Sequence, residues 1–239
     1  MKIKKIIINS DTGNQELALS TDENKKFNFV VGGNSSGKTI MFNKIKSFFS
    51  ENKQSEIIFD GKGTIQNPDL MFLDVEEALH FEYLFKNRKF SDEQLESILQ
   101  KVEEITLIFG WRNIFDSSTP PPVSFEKNEG KIILTKNTLA ASENLLMFFA
   151  FFVVIREEIE PGLPLVLDGL FSHMSFEKRY LLLDFLLEYV PQLLIFLSDT
   201  EFLATVEGIE TPNTFDYLKN KNTIGNVYTL QNHIVKQNE

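Results

Sequence analysis

The sequence predicts an α/β protein with a mainly parallel core sheet, an N-terminal antiparallel β layer, a helical insert and no coiled coil. Apolar runs typical of buried strands occur at 27–31, 163–167 and 193–197, and the first two lead into segments with helical spacing of apolar residues. Strands that alternate with helices favour a parallel sheet. The chain between the first two runs has no sustained heptad repeat and is too short for paired coiled-coil arms.

Composition and charge narrow the class of protein. Of the 239 residues, 42% are hydrophobic and 24% are charged, which is typical of a folded globular chain. The net charge of −10 argues against a basic surface spread over the chain, so we expect any DNA contact to be made through a complex. The absence of cysteine excludes disulfides and thiolate metal sites. With no signal-peptide pattern and no apolar stretch long enough to span a bilayer, we expect a cytoplasmic protein with no membrane partner.

The N-terminal β layer is predicted from short apolar stretches separated by turns. Residues 2–8, 16–19, 56–60 and 70–73 have the composition of strands, and a turn at 11–14 separates the first two. We expect the early β-rich stretch to form a layer that flanks the core sheet.

A glycine-rich loop joins the strand at 27–31 to a helix predicted at 40–49. It matches G-x-x-x-x-G-K-[ST], the P-loop pattern, and ends in Lys38 and Thr39. Backbone N–H groups of such a loop surround a phosphate, and the start of the helix adds partial positive charge. Lys38 reaches the β and γ phosphates and the Thr39 hydroxyl holds Mg²⁺, so we predict a nucleoside triphosphate with Mg²⁺ as the ligand. The residues predicted to contact the nucleotide are Gly32, Gly33, Asn34, Ser35, Ser36, Gly37, Lys38, Thr39 and Ile40.

The insert predicted at 76–134 combines helical structure with a β-hairpin. Ser91 and Gln94 have the spacing of a capping box and open a stretch with helical periodicity. The Pro-rich segment 119–122 excludes a helix there. Residues 125–134, with Asn-Glu-Gly at the centre, predict the hairpin.

The second half of the chain is predicted to complete the core with further helices and strands. A very apolar helix is predicted at 143–158, a second helix at 176–189 and a last strand at 226–230. The nucleotide-binding core of a single head then comprises residues 1–75 and 135–239.

Asp168 and Asp74 are the two candidates for the acidic Mg²⁺ ligand that a P-loop site needs at the end of a buried strand. Asp168 follows the strand at 163–167, and Asp74 follows the strand at 70–73. The local patterns leave both open. A site that used Asp74 would be typical of a small P-loop kinase or GTPase, although no N-K-x-D guanine signature supports the GTPase.

Two motifs resemble those of ABC-type ATPases. Residues 138–143, Thr-Leu-Ala-Ala-Ser-Glu, resemble the signature segment in the loosened form of SMC-like and RecF- or RecN-like relatives. The loop at 32–39 is similar to that superfamily's G-x-N-G-S-G-K-[ST], with Asn34 matching and Ser35 in place of a glycine. The P-loop, signature, acidic strand and switch segment follow one another in the family's order, and that order selects Asp168.

The resemblance implies what the site binds and how it is completed. The nucleotide is expected to be ATP, with Thr39 and Asp168 as the Mg²⁺ ligands. A head-to-tail homodimer is expected, in which the signature helix of one subunit contacts the γ-phosphate held by the other. The residues expected to act across that interface are Ala141, Ser142 and Glu143.

Two later segments resemble one branch, the DndD-type ATPases of bacterial DNA phosphorothioation systems. Residues 163–179 are similar to its L-P-h-h-h-D-x-P-F-G-R-L-D-x-x-x-R run, and residues 193–201 to its h-h-h-h-x-D-T-E run, where h is apolar. This resemblance implies a role in bacterial DNA processing or anti-phage defence, with a nuclease or other effector as partner.

Several departures from the family bear on catalysis. Active ABC ATPases carry a glutamate directly after the acidic strand to orient water, and this chain has Gly169 there. Ala140 replaces the signature serine, and Ser175 replaces the D-loop aspartate. The switch histidine falls near Ser198 and Asp199, so Asp199 or Glu201 is left to polarise water.

The sequence therefore predicts an ATP·Mg²⁺-binding head that hydrolyses ATP slowly or not at all and uses ATP-dependent dimerisation as a switch. A non-hydrolysing scaffold or sensor is the first alternative, favoured by Gly169 and Ala140. A small P-loop kinase that uses Asp74 is the second.

Overall fold

The computed structural model contains two compact units. It describes residues 1–9, 13–51, 53–74, 80–85, 87–109, 123–137, 140–169, 171, 174–203, 212–231 and 234–237. One unit comprises Met1–Val75 and Gly162–Glu239, and the other comprises Glu76–Pro161. Residues 11–12 of the turn predicted at 11–14 lie outside the described residues, and the Pro-rich segment at 119–122 lies wholly outside them.

An antiparallel sheet of three strands forms the N-terminal layer of the first unit. The strands are β1 (Ile3–Ile8), β2 (Gln15–Ala18) and β4 (Ser55–Phe59), in the order β2-β1-β4. Ile3, Ile6 and Ile8 of the central strand are buried, whereas Lys4 is exposed. One face of this sheet therefore packs inward, which is common for antiparallel sheets.

A six-stranded sheet forms the core of the same unit. Its strands are β3 (Phe27–Val31), β5 (Phe72–Asp74), β8 (Leu165–Asp168), β9 (Leu193–Leu197), β10 (Ile224–Gln231) and β11 (Ile234–Gln237). Their order is β11-β10-β3-β9-β8-β5, and every neighbouring pair is parallel except β10 with β11. All residues of β3, β8 and β9 are buried, as expected for parallel strands covered on both faces. The prediction of a mixed α/β fold with a mainly parallel sheet is confirmed.

Four α-helices belong to the described part of this unit. They are α1 (Lys38–Lys46), α4 (Phe176–Tyr189), α5 (Asp199–Leu203) and α6 (Thr214–Asn220). Phe42 of α1 packs edge-on against Phe72 and Phe196, with ring centroids 6.2 and 6.1 Å apart. Burying one such ring contributes about 1.5–3 kcal/mol, so these contacts anchor α1 on the sheet.

The second unit is built on two helices and a hairpin. Its elements are a 3₁₀ turn (Phe81–Phe85), α2 (Asp92–Ile108), β6 (Val123–Asn128), β7 (Lys131–Asn137) and α3 (Ala141–Ile159). Every side chain from Leu145 to Arg156 in α3 is buried. The predicted capping box is confirmed, because the Gln94 N–H donates to Ser91 Oγ and the Ser91 N–H donates to Gln94 Oε1. The predicted hairpin is also confirmed, with Asn128 paired to Lys131.

Proline explains two differences from the predicted strands. The strand expected at 70–73 starts at Phe72, because Pro68 opens a 3₁₀ turn that runs to Met71. The strand expected from Leu163 starts at Leu165, because Pro164 has no N–H to donate to the ladder. The short helices α5 and α6 and the strand β11 were not predicted.

The boundary between the two units does not coincide with the predicted boundary of the nucleotide-binding core, which included residues 135–239. Residues 135–161 cluster with the second unit, since α3 packs on α2 there. The extent of the functional head stays a prediction.

Within the described residues, no helix combines the length and the apolar character needed to cross a membrane.

Candidate functional site

The glycine-rich loop leaves the C-terminal end of β3, the strand between β9 and β10. The Gly32 N–H donates to the Leu197 carbonyl at 3.2 Å, and the Ser36 N–H donates to the Gly33 carbonyl at 3.2 Å. Gly37 then caps α1 with φ +99°. The loop is therefore a tight turn that ends at the start of a helix, where phosphate groups bind readily.

Close packing fixes glycine at the first position of the loop. A Cβ on Gly32 would lie 2.6 Å from both the Leu230 carbonyl oxygen and Ser36 Oγ. Such distances are too short for any side chain, so the loop can pass β10 only with glycine at this point.

Ser35 adopts a conformation that favours glycine. Its φ is +63°, in the left-handed region, and it occupies the position where the pattern it resembles has glycine. Asn34 and Ser35 are exposed, whereas Ser36 is buried. The backbone path of the loop is thus compatible with the predicted pattern even though one glycine is missing.

Lys38 lies back along the loop. Its Nζ donates to the carbonyl oxygens of Gly32 at 2.7 Å and Gly33 at 2.9 Å. Thr39 is exposed in the first turn of α1, and the side chain of Ile40 is 55% exposed.

Asp168 lies at the end of β8, next to the loop, and is only 6% exposed. Burial is the main cause that raises the pKa of its carboxyl group, and the charges of Asp74 and Glu201 raise it further. A hydrogen bond from the Thr39 side chain and the charge of Lys38 lower the same pKa. The fold therefore brings together Thr39 and Asp168, which are far apart in sequence.

The two rival acids lie side by side. Asp74 and Asp168 are register partners at the ends of the parallel strands β5 and β8. The sequence left Asp74 and Asp168 as alternatives, because the register between strands far apart in the chain is not visible in local patterns. Both carboxylates lie at the sheet edge that carries the glycine-rich loop.

Residues that follow β9 reach the same edge. Asp199 is exposed, and its Oδ2 lies 3.6 Å from where a Cβ on Gly33 would be. Glu201 is partly buried, and its charge acts on Asp168. Ser198 and Arg179, which sequence reasoning did not select, both hydrogen-bond to Glu201. Ser198 could have been found, since Ser198 to Glu201 has the S-x-x-E spacing of a capping box.

Gly169 follows the acidic strand directly. Its φ is +71°, and its N–H donates to the Phe196 carbonyl at 3.3 Å. The chain therefore leaves β8 in a backbone conformation that residues other than glycine rarely adopt.

The signature-like segment opens α3. Ala140 is the N-cap, and Glu143 Oε2 accepts a hydrogen bond from the Ala140 N–H at 2.9 Å. Alanine offers no side-chain acceptor in return, so only half of a capping box is present. Ala141 is exposed, and Ser142 and Glu143 are partly exposed. Residues 138–139 of the predicted signature lie outside the described residues.

Oxygen atoms dominate the edge where these residues meet. Among the residues whose placement is described, no three His, Asp or Glu side chains are grouped to hold a metal ion on their own. Mg²⁺ usually takes one or two carboxylates and completes its shell with water and phosphate oxygens. A buried carboxylate hydrogen-bonded to a threonine hydroxyl therefore fits Mg²⁺ in a shared site better than a cation in a closed protein cage.

Comparisons with known proteins bear on the fold. No protein-family model matches the sequence, and no curated protein matches it. Among solved structures, the chain is similar to an SMC head domain from Thermotoga maritima, with a TM-score of 0.57, 14% sequence identity and 100% of both chains covered. The chain thus has an SMC-head-like α/β fold; at this identity the likeness shows the fold alone.

Proposed function

We propose that this protein is an ATP·Mg²⁺-binding head of the ABC type. The observation that carries the proposal is the placement of the buried Asp168 at the end of β8, where the Thr39 side chain lowers the pKa of its carboxyl group. It brings the end of the glycine-rich loop together with the acid at the end of a buried strand. A P-loop NTPase needs these two oxygen ligands together.

The phosphates of ATP are proposed to lie against the loop from Gly32 to Ile40. Backbone N–H groups of the loop and the start of α1 provide partial positive charge. Lys38, which hydrogen-bonds to the Gly32 and Gly33 carbonyls, can transfer its donors to phosphate oxygens without leaving the loop. ATP would therefore find its phosphate contacts largely preformed.

Mg²⁺ is proposed to be held by Thr39 and Asp168, with Asp74 close by. When bound, the ion would neutralise the charge that develops on the phosphate oxygens. The charges of Asp74 and Glu201 both raise the pKa of Asp168, which reflects repulsion between negative charges. A divalent cation relieves that repulsion, which supports the assignment.

Dimerisation is proposed to complete the site. Ala141, Ser142 and Glu143 lie in the first turn of α3, where backbone N–H groups give the helix end partial positive charge. Such N–H groups can bind the γ-phosphate held by a partner subunit. ATP binding would then close a head-to-tail homodimer, and loss of ATP would open it.

The biological context rests on sequence resemblance. The segments at 163–179 and 193–201 support a DndD-like role in bacterial DNA processing or anti-phage defence. A nuclease or another effector would be the partner, and DNA would be contacted through that complex.

Two alternatives have an observation in their favour. The left-handed backbone at Gly169 leaves the usual catalytic position without a side chain, which favours a non-hydrolysing scaffold or sensor. The register of Asp74 with Asp168 keeps a small P-loop kinase open, because either carboxylate can reach a cation at this edge.

Equilibrium ATP binding, with and without Mg²⁺, tests the proposal. Lys38→Ala should weaken ATP binding about 10- to 100-fold, because a hydrogen bond to a charged group contributes about 1.5–3 kcal/mol. Asp168→Asn should remove the Mg²⁺-dependent part of the affinity, and Lys62→Ala, on the exposed surface, serves as the matched control.

The binding data also separate the alternatives. A greater loss of the Mg²⁺ effect in Asp74→Asn than in Asp168→Asn would favour the kinase. If wild-type protein binds no ATP, or binds it as well after Lys38→Ala, the proposal is wrong.

A further inference from the structure

A cavity of about 380 Å³ lies on the face of the core sheet that α5 and α6 cover. The ring of Phe29 in β3 contacts the ring of Phe202, with centroids 4.9 Å apart, and Phe202 contacts Phe215, with centroids 5.3 Å apart. These contacts anchor the two short helices over β3. Beside them, Val227 and Thr229 of β10 stay partly exposed. The helices therefore leave a gap over β10, and its volume lies in the range of small-molecule sites.

An irregularity in β10 shapes the floor of the cavity. Ile224 of β10 pairs with Phe27 of β3. The next pair is Val227 with Phe29, so β10 has one residue more than β3 over this stretch. Such a bulge re-aims side chains that would alternate between the two faces of a regular strand. As a result, the four consecutive residues 224–227 all line the cavity, whereas a regular strand would offer every second one.

The walls of the cavity are mostly apolar. The apolar side chains that line it beside those of β10 are Val31, Phe202, Leu203 and Phe215. Among the described lining residues, two carry a charge, and the charges of Asp199 and Lys219 have opposite signs. A largely apolar cavity with few polar groups is typical of a site that binds and orients a small organic molecule.

The two charges lie toward opposite ends of the cavity. Asp199 lies where β3 ends, since its Oδ2 is 3.6 Å from where a Cβ on Gly33 would be. Lys219 lies near the end of α6, just before the start of β10, and its carbonyl accepts from the Asn222 N–H at 2.9 Å. Because β3 and β10 are parallel, the end of one strand and the start of the other are at opposite edges of the sheet. The floor between them, residues 224–229, is roughly 15 Å long at the usual rise of a strand.

Both charges are available to a bound molecule. Asp199 and Lys219 are exposed, and neither forms an ion pair with a residue that the structure describes. The Lys219 Nζ lies over the Phe215 ring, 5.5 Å from its centroid, so the ammonium group is directed along the wall of the cavity.

We propose that this cavity binds a small elongated molecule with an apolar middle, a cationic group held by Asp199 and an anionic group held by Lys219. Short apolar peptides with free ends have this chemistry, and so do ω-amino fatty acids. Three extended residues span about 10 Å, so the two charged side chains can bridge the remaining length of the floor. Apolar contact with the walls supplies the affinity, and the two charges fix the direction in which the molecule lies. This site is separate from the proposed nucleotide site and does not depend on it.

Isothermal titration calorimetry of the full chain with the tripeptide Leu-Phe-Leu tests the proposal. We expect a Kd of about 1 mM or tighter for the peptide with free ends. Acetylating its N-terminus should weaken binding to wild type about two- to fivefold, as for an exposed ion pair, and should have no effect on binding to Asp199→Asn. Amidating its C-terminus should weaken binding to wild type equally and have no effect on Lys219→Gln. Lys62→Gln, which removes an exposed charge outside the cavity, should respond to both modifications as wild type does.

A variant of the cavity floor locates the site. Val227→Phe places a larger side chain on the floor and should weaken peptide binding at least about tenfold. Ile234→Phe, at an exposed apolar residue of β11 that does not line the cavity, is the matched control and should bind like wild type.

The remaining outcomes identify the source of the ligand or overturn the site. Binding of the peptide but not of ω-aminooctanoic acid would identify a peptide, and the reverse would identify an amino fatty acid. If neither molecule binds wild type at about 10 mM, or if free and blocked peptides bind equally, the proposal is wrong. Binding that is unchanged in Val227→Phe would place the ligand elsewhere. Displacement of the peptide by ATP·Mg²⁺ would make the cavity part of the nucleotide site and overturn a separate ligand.

Discussion

Replacing Gly169 with glutamate puts back the residue that active ABC ATPases carry after the acidic strand, yet we expect it to destabilise this protein without accelerating ATP hydrolysis. Gly169 has φ +71°. An L-residue in the left-handed region costs about 1–2 kcal/mol, which for a chain of this length lowers the midpoint of thermal unfolding by about 2–8 °C. The new carboxylate would also enter a region where the charges of Asp74 and Glu201 already raise the pKa of Asp168.

Gly169→Ala is the matched control, because it carries the same backbone cost without the carboxylate. Urea unfolding at neutral pH should give a loss of about 1–2 kcal/mol for alanine and a larger loss for glutamate. Steady-state ATP turnover should rise in neither variant. If Gly169→Glu unfolds like wild type and turns over ATP at least about tenfold faster, the left-handed backbone is not a barrier and the reasoning is wrong.

Three further predictions concern stability. Ser35→Gly should stabilise the protein by about 0.5–1 kcal/mol in urea unfolding, because φ +63° costs serine more than the added backbone entropy costs glycine. Asp168→Asn should raise the thermal midpoint at neutral pH without Mg²⁺. Burial raises the pKa of Asp168 in the folded state, so the wild-type protein loses stability as the pH rises from the unfolded pKa through the folded pKa. The gain in thermal midpoint from Asp168→Asn should therefore vanish below about pH 4, near the unfolded pKa of an aspartate. A gain that is the same at all pH values would contradict this. Gln192→Leu should cost about 3 kcal/mol, since the buried Gln192 amide accepts from the Ile3 N–H and donates to the Ile3 and Ser20 carbonyls; a loss under about 1 kcal/mol in urea would contradict this.

Local sequence patterns predicted those parts of the fold that depend on interactions between residues close together in the chain. The strand at 193–197 and the helix at 176–189 match the structure residue for residue, because an uninterrupted apolar run and a periodic helix need no distant partner to be read. The capping box at Ser91 was equally visible, since its two hydrogen bonds join residues three positions apart.

Long-range pairing could not be read from the sequence. Asp74 and Asp168 are neighbours only because β5 pairs with β8 across a long intervening segment. The same holds for Gln192, whose amide joins the first strand of the chain to the start of β9. The motif order chose Asp168, but it could not show that the rejected acid would share its sheet edge and add to its charge.

A motif comparison does not show the backbone conformation of single residues, and at two positions of this chain that conformation changes its interpretation. A pattern treats Gly169 as a missing glutamate and Ser35 as a missing glycine, as though each could be exchanged without cost. The left-handed φ at both positions gives these two departures opposite meanings. At Ser35 the family residue would relieve strain, whereas at Gly169 the family residue would create it. A direct replacement at Gly169 therefore does not restore the family's site, because the backbone at this position disfavours any side chain.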